Sequence, residues 1–122
     1  MTAVSPRDAW ALAGGYGVSD PASYLLHWDG TTWARVRYSC PGDAITSITP
    51  DGQGGVWAVG GSSGHEWFCH GTAGRWTKTA VPMRAGEQPG VYWPVLIPGT
   101  RSLWALGEFD ADEGVAILKY GP

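Results

Sequence analysis

Charge is scarce in this 122-residue chain. Asp, Glu, Lys and Arg make up only 16% of it, and the formal net charge is −3. A weakly acidic balance supplies no electrostatic footprint for nucleic acid, which needs a basic face. No stretch approaches the eighteen or so uninterrupted apolar residues of a membrane-spanning helix. The N-terminal Met-Thr-Ala-Val-Ser-Pro-Arg-Asp lacks a basic segment leading into an apolar run, so no secretion signal is read there. Helical periodicity is also missing, which excludes a helical bundle. The two cysteines, Cys40 and Cys69, are too few for a disulfide framework and too far apart for a Cys-x-x-Cys site. They read as two small, partly buried thiols unless the fold brings them together.

Turn-formers and tryptophan are abundant instead, with 19 Gly, 9 Pro and 8 Trp beside only 2 Met and 2 Phe. That mixture, in a chain 43% hydrophobic, fits one all-β domain of short strands joined by tight turns. A repeat confirms the pattern. Asp8-Ala-Trp-Ala-Leu-Ala-Gly14, Gly55-Val-Trp-Ala-Val-Gly-Gly61 and Ser102-Leu-Trp-Ala-Leu-Gly-Glu108 place Trp10, Trp57 and Trp104 at equal intervals of 47 residues. A proline-led turn precedes each: Ser5-Pro6-Arg7-Asp8, Thr49-Pro50-Asp51-Gly52 and Ile97-Pro98-Gly99-Thr100. A second apolar strand follows each, at Tyr24–Trp28, Trp67–His70 and Ala116–Tyr120, and the first two units add a segment at Trp33–Arg37 and Trp76–Thr79.

A complete unit therefore reads as four strands, in the second copy Ala44–Thr49, Gly55–Gly60, Glu66–His70 and Arg75–Ala80. Four-stranded antiparallel meanders at a period of about 40 to 50 residues describe β-propeller blades. The expectation is a single partial propeller over 1–122, with blades at 1–39, 43–81 and 92–122. The last lacks its outer strand, giving about two and a half blades. Propellers close with about four to eight, so the ring is incomplete without further copies or upstream blades. The start, mid-repeat, reads as the loss of upstream units and the stop as a natural end. Two copies would supply six blades and three would supply nine, the dimer being nearer the common numbers.

Side chains alternate across a strand. Trp10 and Leu12 thus share one face, and Ala9, Ala11 and Ala13 the other. The same split sets Trp57 and Val59 against Val56, Ala58 and Gly60, and Trp104 and Leu106 against Leu103, Ala105 and Gly107. A bulky face pressed into the small face of the next sheet fills the gap at interior density. The three tryptophans are accordingly expected in equivalent buried sites, as core and not as an aromatic ligand cage. Arg35, Arg37, Thr77, Lys78 and Thr79 lie where a sheet edge would meet solvent and discourage edge-to-edge pairing.

Asp51-Gly-Gln-Gly-Gly-Val-Trp-Ala-Val-Gly60 resembles the Asp…Gly…Trp-x-x-Gly strand of bacterial propeller repeats, including those in sensor regions of two-component regulators. The Trp-Asp-Gly-Thr-Thr-Trp run at 28–33 resembles kelch-like propellers of secreted or surface bacterial proteins. The resemblance implies a secreted or cell-surface setting and a binding role for sugars or proteins, and it fixes no single function.

In a meander the connections alternate between two ends. The short turns fall at one end. The other carries 14–23, 61–65, 108–114, 38–43 and 82–92, which are longer and more varied, and loops on a rigid scaffold concentrate binding residues. The candidate ligand-binding residues there are Tyr16, Asp20, Tyr38, His65, Glu66, Arg84, Glu87, Tyr92, Asp110 and Asp112. No metal site, cofactor or catalytic residue is assigned. Asp110, Asp112 and Glu113 read as a solvated acidic loop tip although their oxygens could ligate Ca²⁺. His65, Cys69 and His70 sit on opposite faces of one strand, poor geometry for zinc. His27 and His70 occupy matching places and read as repeat residues. No Gly-x-Ser-x-Gly or other nucleophile setting occurs, and the Gly-rich stretches are turns, not phosphate cradles. The expected function is a non-catalytic module recognising a carbohydrate or protein through its long-loop end. The alternatives are a glycoside-cleaving segment using carboxylates such as Glu66 and Asp110, or purely structural blades.

Overall fold

A computed structural model describes residues 1–13, 24–38, 45–62, 65–72, 74–81, 90–109 and 114–121. Among these residues every regular element is a strand. The eleven strands are β1 (Thr2–Ser5), β2 (Asp8–Ala13), β3 (Tyr24–Trp28), β4 (Trp33–Val36), β5 (Ile45–Pro50), β6 (Val56–Ser62), β7 (His65–Thr72), β8 (Arg75–Ala80), β9 (Gly90–Leu96), β10 (Leu103–Phe109) and β11 (Gly114–Tyr120). They form three antiparallel sheets in chain order, β1-β2-β3-β4, β5-β6-β7-β8 and β9-β10-β11. Each sheet is a meander, every strand pairing with its sequence neighbour. The third has three strands.

The registers superimpose the repeats. Trp10 pairs with His27, Trp57 with His70 and Trp104 with Lys119. The sheets pack in sequence through the faces that alternation defines. Trp10, Leu25, Leu12 and Val36 of the first sheet meet Ile45, Val56, Ala58, Trp67 and Cys69 of the second. Trp57, Val59 and Phe68 of the second then meet Leu103, Ala105 and Leu118 of the third. Two hydrogen bonds pin these contacts. The Trp76 indole N–H donates to the Arg37 carbonyl at 3.1 Å, and the Leu96 amide donates to Thr49 Oγ1 at 3.2 Å. The first strands of successive sheets lie side by side, β5 touching both β1 and β9.

Three expectations are corrected. Trp10 and Trp57 are buried, 6% and 4% exposed, whereas Trp104 is 52% exposed. Burial of a strand face requires a neighbouring sheet, and among the described residues the bulky face of the third sheet has none. Cys69 is not a thiol but is disulfide-bonded; the other cysteine of the sequence is Cys40. Residues 61–65 are mostly not loop. Gly61 pairs with Glu66 and Ser62 with His65, leaving two residues between β6 and β7, because backbone pairing extends past the apolar part of both strands. β9 begins at Gly90, so Tyr92 lies within a strand, at a bulge opposite β10.

Candidate functional site

The short-turn end is built for rigidity. Asp29 Oδ1 accepts the Thr31 and Thr32 amides at 2.8 and 2.9 Å, and those amide hydrogen bonds hold its carboxyl below the usual carboxylate range. In the third sheet Thr100 plays the corresponding part, its hydroxyl accepting the Ser102 amide at 3.0 Å and donating to the Ile97 carbonyl at 2.8 Å. Asp51 is the most heavily engaged. Its Oδ1 accepts the Gln53 and Gly55 amides at 2.7 and 2.8 Å, and its Oδ2 accepts the His70 ring N–H at 2.8 Å. Burial opposes ionisation of this carboxyl, but the hydrogen bonds from His70, Gln53 and Gly55 outweigh it and hold the group below its ordinary value.

The histidines sensed as repeat residues prove to be bridges between indole and carboxylate. The His70 ring stacks on Trp57, centroids 4.2 Å apart and 8° from parallel, while hydrogen-bonded to Asp51. His27 stacks on Trp10 at 4.3 Å and bonds Asp8 at 2.9 Å. Such Trp–His–Asp groups invite a catalytic reading. Here the groups are already committed to one another: each carboxylate holds its own histidine, and each ring is stacked on a core tryptophan. They lock turns to sheets.

The ten residues expected to bind ligand are read from the sequence onto the opposite end. Tyr16, Asp20, Arg84, Glu87, Asp110 and Asp112 lie outside the described residues. For His65, Glu66 and Tyr92 only the backbone is described, within β7 and β9. Tyr38 packs edge-on against Trp76, centroids 6.0 Å apart, beside the core between the first two sheets. At the same end the Arg35 guanidinium sits over the Tyr24 ring, 4.6 Å from its centroid. Among the described residues no group of three or more His, Cys, Asp and Glu is placed to hold a metal ion.

Sequence reasoning passed over a third feature, the open face of the third sheet. Trp93, Val95, Trp104, Leu106, Val115 and Ile117 are all exposed on it. A recess of about 320 Å³ opens there, lined by Trp93, Leu106, Gly107, Glu108 and Val115. The signal was present in the third repeat, whose central strand is apolar on both faces. Compared with known proteins, the chain matches no family model, no curated protein and no solved structure.

Proposed function

We propose that this protein is a non-catalytic binding module built from β-propeller-type blades of the kelch-like kind, recognising a carbohydrate or a protein surface through its long-loop end. One observation carries the reading: the meander topology of all three sheets gathers the connections after β2, β4, β6, β8 and β10 at one end. The other end is consumed by tight, internally hydrogen-bonded turns. A rigid frame with its variable segments clustered at one end is the arrangement on which recognition residues accumulate. Tyrosines and carboxylates there, Tyr16, Tyr92, Asp20 and Glu87 among them, suit stacking on sugar rings with hydrogen bonds to hydroxyls. They suit a protein hot spot equally.

Glycan-array profiling of the purified chain, paired with affinity measurement on Tyr16→Ala and Tyr92→Ala, tests it. Saturable binding, weakened at least tenfold by either substitution while the far-UV circular dichroism is unchanged, supports carbohydrate recognition. Binding to a protein partner with the same sensitivity supports the protein reading. Turnover of a chromogenic glycoside abolished by Glu66→Gln would overturn the non-catalytic assignment.

A further inference from the structure

The two sheet-to-sheet contacts inside the chain follow one rule, and the rule leaves two complementary surfaces over. A docking face carries the repeat tryptophan and a large residue on the adjoining strand. A receiving face carries alanine or glycine at the centre. The first sheet docks on the second and the second on the third. Left over are the docking face of the third sheet and the receiving face of the first.

The cover lost by the docking face is plain from equivalent positions. Leu25 and Phe68 are 0% and 3% exposed, whereas Ile117, at the same register position, is 75% exposed. Soluble monomers seldom expose a contiguous apolar face of this size. The receiving face of the first sheet has the matching form. Ala11 stands where Ala58 and Ala105 stand, and those two are fully buried under the preceding sheet's docking face. Leu26 stands where Cys69 and Leu118 do. Trp33, on the same surface, is also exposed. Charge agrees as well: Glu108 borders the recess on the docking face, and Arg35 over Tyr24 supplies a cation on the receiving face.

We propose that the third sheet of one copy docks on the first sheet of a second copy, head to tail, repeating between chains the packing made twice within each. Two such contacts related by a two-fold axis close a ring of six sheets, within the usual four to eight of closed propellers. The occupant is a second copy because its first sheet offers the same alanine-centred surface that already receives this type of face twice in the chain.

Light scattering coupled to size-exclusion chromatography of the full chain, over micromolar concentrations, reads the outcome. The expected mass is twice the chain's 13.0 kDa. Ile117→Asp on the docking face and, separately, Ala11→Arg on the receiving face should each shift the protein to monomer with the circular dichroism of the parent. Both sites are at least partly exposed in the single chain, so the fold should survive, and Val115→Lys provides a second docking-face variant if Ile117→Asp does not fold. Mixing the two monomeric variants leaves one intact docking–receiving pair and should restore a dimer. A monomeric parent overturns the proposal, as does a dimer sensitive to Ile117→Asp but indifferent to Ala11→Arg, which would mean face-to-face pairing of third sheets. A trimer with both sensitivities keeps the docking and overturns the two-copy ring. Ligand binding at the loop end is read separately, so either result can fail alone.

Discussion

At the scale of single residues, Asp51 shows how the repeated turn is held. Three donors converge on a carboxylate that is almost wholly buried. Hydrogen bonds to a charged group contribute roughly 1.5–3 kcal/mol each by substitution, so Asp51→Asn should lower stability at neutral pH by about that amount, read as a drop in Tm. The pH dependence has a definite sign. The folded-state pKa of Asp51 is depressed, so its contribution is present above the unfolded-state value near 3.9 and is lost as pH falls through the lower folded value. The acid limb of a stability profile below about pH 4 should therefore flatten in Asp51→Asn; an unchanged limb would remove Asp51 from this role. Gly55 is bound to the same geometry. A β-carbon there would strike the Asp51 carboxylate and come within 2.5 Å of the Gly71 carbonyl oxygen. Gly55→Ala should cost about 1–3 kcal/mol, the usual range for overpacking, and chemical denaturation reads it directly. The Asp…Gly…Trp spacing is thus a turn carboxylate, the glycine that lets it close, and the indole beneath its histidine. His27 and His70 could be paired from sequence, but their carboxylates could not. Asp8 stands two residues before its tryptophan and Asp51 six before, so position alone hides that both reach the same atom of an equivalent ring.

Elements were more legible than site residues. Period-two alternation and proline- or glycine-led turns locate the strands of the second sheet within a few residues, because side-chain patterning and turn chemistry are local. Burial is not local. Trp10, Trp57 and Trp104 have near-identical flanks, yet only the first two are covered, since cover belongs to a pair of sheets. The energetic consequence separates them. Trp57→Ala removes a buried indole between the second and third sheets and should cost about 3–5 kcal/mol. Trp104→Ala, measured by denaturation at concentrations below any association, should cost under about 1 kcal/mol, the range of exposed substitutions. Equal losses at both positions would show that the third sheet's face is covered within the chain. The ends of strands escaped prediction for another physical reason. Gly61, Ser62 and His65 extend β6 and β7 past their apolar runs through backbone pairing, which leaves no hydrophobic pattern to read.

For the whole molecule, the disulfide at Cys69 alters how the first two sheets are held. Cys69 is buried on β7 in the core that the first and second sheets share. Its only possible partner within the sequence, Cys40, lies in the segment crossing from β4 to β5. Nothing in two cysteines so far apart in sequence reports their separation in space, which is why spacing alone favoured free thiols. A cross-link closing a loop of about 30 residues restricts the unfolded chain by roughly 3–4 kcal/mol in the loop-entropy description. That is a large share of the 5–15 kcal/mol typical of a domain. Denaturation with and without a thiol reductant should show a loss of this order, and Cys69→Ala should reproduce it in the absence of reductant. Because Cys69 is buried between packed sheets, reduction should also be slow under native conditions and accelerate sharply in denaturant, tracked by thiol labelling with mass analysis. Labelling of Cys69 in the unreduced native protein would show that the bond does not form. Fast reduction without denaturant would mean that the first two sheets separate readily, and the packing rule that links the sheets would then be too weak to join separate copies.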